Sequence, residues 1–256
     1  MDMRPHLRAL APIAGTALLA SLSFMLAGCD KASVTIDGDH GKRLADLDLS
    51  GPPPHGVALM GIDTVDISDG PKLTIRVEGD PAEADHLRFT LKDGTLGILR
   101  DRGFWSGGKA VTVHVTMPAP RELTAGGTGS ITAATVDADH ATVTIAGTGE
   151  VATPQVQTSK LEVTIAGTGT YRAAGKAGAL ELNIVGTGDA AMDALKVDTA
   201  DVSLAGTGDG TFSSDGAVSA SIVGTGTVRV LGAATCKVSA VGSGKVVCER
   251  GATAEK

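Results

Sequence analysis

A Gly-x-Gly tripeptide recurs seven times between residues 123 and 245, and no other feature of the sequence constrains the fold as strongly. The middle residue is threonine in six copies and serine in the last. The first glycines of the copies are Gly127, Gly147, Gly167, Gly186, Gly206, Gly224 and Gly242, at intervals of 18 to 20 residues. A period this regular indicates a repeat architecture, in which each unit stacks on the next.

The residues before each tripeptide alternate between apolar and polar. Val163 and Ile165 lie four and two residues before Gly167, and Thr164 lies between them; the other copies keep this pattern. The alternation predicts a β-strand with one buried face, and glycine at the turn permits a positive φ. A meander or a sandwich does not need turns at constant spacing. A solenoid does, because every coil must return to the same place above the previous one.

We therefore predict an all-β fold, a single-stranded parallel β-helix with coils of about 19 residues. The preference for right-handed crossovers between parallel strands favours a right-handed helix. At about 4.8 Å per coil, the six intervals give a rod of roughly 29 Å. Aromatic residues make up only 2% of the chain, and this suits thin coils filled with small β-branched side chains.

The repeats also resemble a known family. They follow a segment that contains Val65-Asp66-Ile67, residues 73–80 and Lys92-Asp93-Gly94-Thr95-Leu96. The combination is similar to the DUF2807 family, the GIN domain of auto-transporter adhesin heads, over residues 57–248. In that family the middle residue of the turn is commonly serine, whereas threonine predominates here. The resemblance implies a β-helical protein of the bacterial cell envelope and implies little about activity.

Residues 1–28 have the composition of an export signal. Arg4 and Arg8 provide a positive start, residues 9–25 are mostly apolar, and Leu26-Ala27-Gly28 precedes Cys29. Such a segment is excluded from reasoning about the mature fold. The final tetrapeptide resembles the lipobox of bacterial lipoproteins. This resemblance implies that Cys29 receives a diacylglyceryl group, becomes the N-terminus and holds the protein at the membrane.

A signal anchor or an ordinary secretory signal is the alternative for residues 1–28. Pro12, Gly15 and Thr16 interrupt the apolar run and disfavour a membrane-spanning helix. Residues 29–56 follow, with a Gly-Pro-Pro-Pro stretch and several Asp and His residues. This composition predicts a lipidated N-terminus and a flexible tether between the lipid and the domain.

Residues 57–120 lack the regular period, and we expect an irregular β region there. The candidate strands are Gly61–Ser68, Lys72–Glu78, Leu87–Lys92, Thr95–Leu99 and Ala110–Met117. We expect them to cap the solenoid, as imperfect coils or as an antiparallel layer, because an open end offers unpaired backbone groups to another chain. Residues 121–248 are the repeat β-helix, and residues 249–256 are a charged tail that frays.

Phe104-Trp105 is the one conspicuous aromatic pair, and it lies in a glycine-rich stretch. Two roles fit it. Aromatic side chains dominate binding hot spots, so the pair is a candidate contact for a glycan or a protein partner. The other role is a plug packed over the end of the solenoid, and this role is favoured.

Cys236 and Cys248 lie six residues before and six residues after Gly242. At the equivalent positions other coils carry residues such as Leu161 and Val230, so both columns face inward. With Cys29 lipidated, the remaining two cysteines form an even pair in an oxidising compartment. We predict a disulfide that closes the last coil. Two free, buried thiols are the alternative.

Charge and motifs exclude several function classes. The net charge is −7, which argues against nucleic acid or an anionic membrane surface as a partner. The histidines lack metal-ligand spacing, and nucleophile-elbow, zinc-protease and phosphate-loop motifs are absent. We therefore predict no catalytic residue, no metal site and no cofactor. Glu150, Asp189 and Asp209 follow glycine pairs and predict a solvated acidic edge rather than a calcium site.

The sequence thus favours a non-enzymatic lipoprotein of the bacterial cell envelope, facing the periplasm or the exterior, that presents its β-helix to a glycan or an envelope protein. Stacked threonines at the turns offer a regular array for such a ligand, although turn chemistry explains them sufficiently. One alternative is a polysaccharide-active β-helix enzyme. It is disfavoured because the repeat region has only Tyr171 and Phe212 as aromatic platforms. A scaffold or signalling accessory of an envelope system is a further alternative, because the fold does not settle the function.

Overall fold

The computed structural model describes residues 36, 39–101 and 108–249, and the described chain is built almost entirely of strands in a 16-stranded sheet. The strands are β1 Gly56–Gly61, β2 Thr64–Asp69, β3 Thr74–Glu78, β4 Leu87–Lys92, β5 Thr95–Arg100, β6 Thr112–Met117, β7 Glu122–Gly127, β8 Ser130–Ala133, β9 Val136–Gly147, β10 Glu150–Gly167, β11 Thr170–Gly186, β12 Asp189–Gly206, β13 Gly210–Gly224, β14 Thr227–Leu231, β15 Thr235–Gly242 and β16 Lys245–Glu249. A 3₁₀ turn, Leu44–Asp46, and one short helix, α1 Pro81–Ala84, precede and interrupt them.

From β7 onward the strands stack in parallel, and like residues lie over like. Ile145 of β9 pairs with Ile165 of β10, which in turn pairs with Ile184 of β11. The first glycines of successive tripeptides are aligned in the same way. The predicted parallel β-helix is confirmed, and its right-handed sense stays a prediction.

In β10, β11 and β12 the alternation of buried and unburied residues is interrupted twice, which indicates coils with three sides. In β10 the alternation of buried and unburied residues is interrupted at Pro154-Gln155 and at Ser159-Lys160, and the Gly-x-Gly tripeptide forms the third corner. We call the run that ends at the tripeptide side A, residues 161–167 in β10. The run that follows the preceding tripeptide is side B, residues 150–153, and the remaining run is side C, residues 156–158.

The core is a continuous stack of inward side chains, most of them Ala, Val, Leu and Ile. Ile145, Ile165 and Ile184 are completely buried, and Tyr171 and Phe212 are among the largest fully buried side chains. Each coil covers the coil before it, so a side chain of this size contributes roughly 1.5–3 kcal/mol by its burial. The low aromatic content follows from this geometry, since a thin coil has room for few large rings.

The N-terminal region contributes two further coils and an antiparallel cap. Strands β1 and β2 stack in parallel on β7 and β8, and β5 and β6 stack in parallel on β1 and β2. Strands β4 and β3 then pair antiparallel with β5 and β6 and close this end. Both arrangements expected for residues 57–120 are present together. The sequence did not indicate that β1 and β2 lie inside the stack, between two coils that follow them in the chain.

Part of the predicted tether belongs to the folded domain. Lys42 exchanges two backbone hydrogen bonds with Phe89 of β4, at 2.7 and 2.8 Å. Leu44, Leu47 and Leu49 are partly buried against the core. These leucines cover apolar side chains at the capped end, and the prediction of a flexible tether up to residue 56 is therefore wrong for residues 42–49.

Candidate interaction surface

The Gly-x-Gly corners join neighbouring coils through the backbone. In five coils the amide of the middle threonine donates to the carbonyl of the first glycine one coil earlier, for example from Thr168 to Gly147 at 2.9 Å. All seven first glycines have positive φ. A Cβ on Gly147 would lie 2.5 Å from the carbonyl oxygen of Gly127. Only glycine therefore allows the corners to approach this closely, and the threonine side chains between the glycines are exposed.

The outer surface of side A is a continuous array of small side chains, which we call the side A face. Next to the corner threonines runs an apolar column, then a hydroxyl-rich column, then a column of charged and hydroxyl side chains. Their members are, in this order, Ala146, Ala166, Val185, Ala205, Val223 and Val241; Thr124, Thr144, Thr164, Asn183, Ser203, Ser221 and Ser239; and Thr142, Glu162, Glu181, Asp201, Ser219 and Lys237. The apolar column is open to solvent, since Val185 and Val223 are 57% and 55% exposed.

The side A face repeats every coil, at the roughly 4.8 Å spacing of parallel strands. Its hydroxyl column and the exposed corner threonines both donate and accept hydrogen bonds, and they flank a column of methyl groups. The alternation in the sequence indicates the hydroxyl column only as the polar half of each strand, and the apolar column was not predicted. A signal for it exists, because the residue directly before each first glycine from Gly147 onward is Ala or Val.

Bases of the preceding coil hold the carboxylates along the edge of the side A face. His140 Nε2 lies 3.0 Å from Glu162 Oε2, and Lys160 Nζ lies 2.8 Å from Glu181 Oε2. The hydrogen bond from Lys160 lowers the pKa of Glu181, and the same contact raises the pKa of Lys160. Both groups are therefore charged near neutral pH, and this edge of the surface stays hydrated.

The acidic residues that follow glycine pairs join neighbouring coils. Asp189 Oδ1 accepts a hydrogen bond from the amide of Asp209 at 3.1 Å, and Asp209 Oδ1 accepts one from the amide of Thr227 at 2.7 Å. Glu150 pairs with Arg172 at 2.7 Å. Over residues 36, 39–101 and 108–249, no three His, Cys, Asp or Glu side chains are grouped to hold a metal ion.

A buried ion pair at the capped end was not predicted from the sequence. Arg100 donates from Nε and Nη2 to the Asp63 carboxylate at 2.8 and 2.6 Å, and from Nη1 to Glu83 at 2.8 Å. The side chains of Arg100 and Asp63 are 4% and 1% exposed. Hydrogen bonds to Asp63 raise the pKa of Arg100 and hold its charge, whereas the guanidinium lowers the pKa of Glu83.

This ion pair also fixes the chain on both sides of residues 102–107. Arg100 donates to the carbonyl of Lys109 at 2.8 Å, and Asp63 accepts from the amide of Val111 at 3.0 Å. Phe104 and Trp105 themselves lie outside the described residues. The structure thus shows what anchors the segment that carries them, and their role as a contact or a plug stays a prediction.

Two of the three cysteines lie within the described residues. Cys29 lies outside the described residues. Cys236 and Cys248 are joined by a disulfide with a Cα–Cα distance of 6.7 Å. Their strands stack on the buried residues Val218 and Val230, so the bond spans the interior of the last coil. Within the described part of the chain, no helix is both long enough and apolar enough to span a bilayer.

Comparisons with known proteins agree with this architecture. The family model described as "Putative auto-transporter adhesin, head GIN domain" (DUF2807) matches residues 53–234. No curated protein matches the sequence significantly. The fold is similar to that of a "putative adhesin" from Bacteroides fragilis, with a TM-score of 0.67 and 18% identity over 76% of this chain and 91% of that one.

Two further solved structures have the same fold. A "putative adhesin" from Parabacteroides merdae aligns with a TM-score of 0.61 and 17% identity, covering 77% of this chain and 92% of that one. A "putative lipid binding protein" from Parabacteroides distasonis aligns with a TM-score of 0.59 and 17% identity, covering 77% and 94%. At this level of identity the likeness concerns the fold alone.

Proposed function

Because the chain belongs to the DUF2807 family of adhesin-like head domains, we propose that it is a non-enzymatic protein of the bacterial cell envelope that binds polysaccharide through its side A face. The observation that carries the proposal is the exposed apolar column between two columns of hydroxyl groups. An extended polysaccharide presents alternating C–H and hydroxyl groups, and these match methyl groups and hydroxyls arranged in parallel rows. Repetition along the solenoid then adds many weak contacts into a stable one.

Anchoring completes the proposal. A diacylglyceryl group on Cys29 holds the N-terminus at a membrane, and the folded domain begins near Lys42 with its capped end. An extended chain spans at most about 3.3–3.6 Å per residue, so the length of the chain between Cys29 and Lys42 limits the distance between the lipid and the domain. Within the folded domain, the side A face runs along the solenoid from the first repeat coils to the last.

The side A face is tested by one substitution and its matched control. Ala205→Lys places a long cation in the exposed apolar column, whereas Ala194→Lys makes the same change at another exposed site of β12, outside side A. The probe is isolated peptidoglycan sacculi, an insoluble envelope polysaccharide, mixed with the full chain in detergent and sedimented.

We expect the wild-type chain and Ala194→Lys to sediment with the sacculi to the same extent, and Ala205→Lys to lose binding at least tenfold. Thermal denaturation should give equal midpoints for both variants, because neither side chain is buried. Absence of wild-type sedimentation, or equal binding by the two variants, contradicts the proposal.

A further inference from the structure

The two ends of the solenoid differ, and the C-terminal end is open over the described residues. Strand β15 pairs only with β13, and β16 pairs only with β14. Val238 lies in the inward column directly above Ala220. It is nevertheless 51% exposed, whereas Ala220 is 3% exposed. Within the described residues, the apolar core is therefore exposed at this end, beside two strand edges whose outer hydrogen-bonding groups have no strand partner.

In the part of the chain that the structure describes, the opposite end offers no matching surface. Antiparallel strands β3 and β4 close it, and Lys42 covers part of the outer edge of β4 through its backbone. The outer strand β3 carries the exposed Arg76–Glu78 ion pair, with 3.0 Å between Nη2 and Oε2. Charges on an edge strand oppose further pairing. Head-to-tail stacking of two copies is thus disfavoured, whereas two open ends can meet.

We propose that the open end is the docking site for a second copy of this chain, with β16 of each copy pairing antiparallel about a two-fold axis at Val247. In this register Lys245 of one copy lies opposite Glu249 of the other, and the same pair recurs at the other end of the strand. Val246 lies opposite Cys248 on the inward side. Opposite charges at both ends of the strand select this self-complementary register over a shifted one.

The neighbouring structure supports this contact. Glu249 is held at 2.8 Å by Arg229 on the adjacent strand β14, so its carboxylate is already positioned. The Cys236–Cys248 disulfide ties β15 to β16. A pre-ordered edge loses little conformational entropy when it pairs. End-to-end contact also covers Val238 with the core end of the partner copy. The proposal does not use the side A face and goes beyond polysaccharide binding.

Cross-linking at the two-fold axis tests the proposal. In an antiparallel pair, residues directly opposite have Cα atoms about 4.5–5.5 Å apart. Val247→Cys in the full, detergent-solubilised chain should therefore give a covalent dimer with a short bismaleimide, which reacts with free thiols and leaves the native disulfide intact. Thr211→Cys is the control, because it lies in the same outward column two coils deeper. In the proposed dimer, the two Cα atoms at position 211 would be about 24 Å apart, at about 4.8 Å per coil. We expect at least tenfold more cross-linked dimer for Val247→Cys.

A charge reversal tests the register. In the Val247→Cys chain, Lys245→Glu places two carboxylates opposite each other at both ends of β16 and should reduce cross-linking at least tenfold. Lys237→Glu changes the net charge equally in the same last coil but lies on side A, away from the axis, and should leave cross-linking unchanged. Equal effects of the two reversals, or equal cross-linking at positions 247 and 211, would overturn the proposal. Circular dichroism checks that every variant is folded.

Discussion

Gly147 shows at the scale of one residue why the corners of the coils are glycine. Its φ is +122°, and backbone in this region costs a residue with a side chain about 1–3 kcal/mol. We expect Gly147→Ala to lower the thermal midpoint by several degrees or more, because the new methyl group would also contact the Gly127 carbonyl. Thr148→Ala, one residue along and exposed, should stay within about 0.5 kcal/mol of the wild type. Equal midpoints for the two variants would mean that the corners do not stack as described.

The one tyrosine supplies a second test at this scale. Its hydroxyl lies 2.7 Å from Thr153 Oγ1, and both side chains are completely buried. Burial raises the pKa of Tyr171 to about 12, so the phenol stays neutral and needs a partner. Thr153→Val should leave it unsatisfied and cost about 1–3 kcal/mol of unfolding free energy, measured by chemical denaturation.

Removal of both polar groups is the control for the Thr153–Tyr171 pair. In the double variant Thr153→Val with Tyr171→Phe, no buried polar group is left without a partner. We expect it to recover much of the stability that Thr153→Val loses. If the double variant loses the sum of the two single effects, the hydrogen bond does not couple these residues.

Single residues differ in how far the sequence predicts them. The inward position of Ile165 and Ile184 follows from alternation, because every coil repeats it. The pairing of Arg100 with Asp63 does not, because an isolated arginine and an isolated aspartate occur at no repeated spacing. Only the pairing of β1 with β5 and of β2 with β6 brings these two side chains together.

At the scale of elements, the predicted strand bounds agree with the structure for some strands and not for others. Leu87–Lys92 is observed as predicted, whereas Gly61–Ser68 is wrong as a single strand. The chain instead bends between β1 and β2, where Asp63 turns inward to meet Arg100. The pattern of apolar residues shows that strands exist in this region. It does not show their partners, since antiparallel and parallel neighbours bury similar side chains.

The disulfide in the last coil should stabilise that coil and leave distant coils unaffected. Cys236 and Cys248 are 12 residues apart, and a loop of this length gives roughly 3 kcal/mol of stabilisation in the chain-entropy model. Coils contact only their neighbours, so the loss should be local. We expect Cys236→Ala to speed hydrogen exchange over residues 238–247 and to leave the coil around Ile165 unchanged. Uniform acceleration along the chain, or two alkylatable thiols in the native exported protein, would contradict a terminal disulfide staple.

For the whole molecule, membrane attachment is the main prediction. The Leu-Ala-Gly-Cys sequence after an apolar segment predicts a lipid on Cys29, and cells that export the chain should incorporate labelled fatty acid into it. Cys29→Ser should abolish the labelling. The control Cys248→Ser removes a different cysteine and should keep it. Labelling that persists in Cys29→Ser excludes this attachment site.

The overall architecture is the most predictable level, for a physical reason. A repeated coil needs the same residues at the same places, so the period reveals the stacking direction and the buried columns together. The ends have no such repetition. Closure of one end by β3 and β4, the docking of residues 42–49 and the open edge at β16 each occur once, and nothing in the period indicates them.

The position of β1 and β2 within the stack has a consequence for the order in which the molecule assembles. Val57 pairs with Leu96 on one side and with Leu123 on the other, whereas each repeat coil pairs with the coil beside it in the chain. Contacts between distant residues form more slowly than local ones. The repeats can therefore nucleate alone, while the first strands to emerge during synthesis must wait for two later segments. Strands β1 and β2 are thus set in place late, between neighbours made after them.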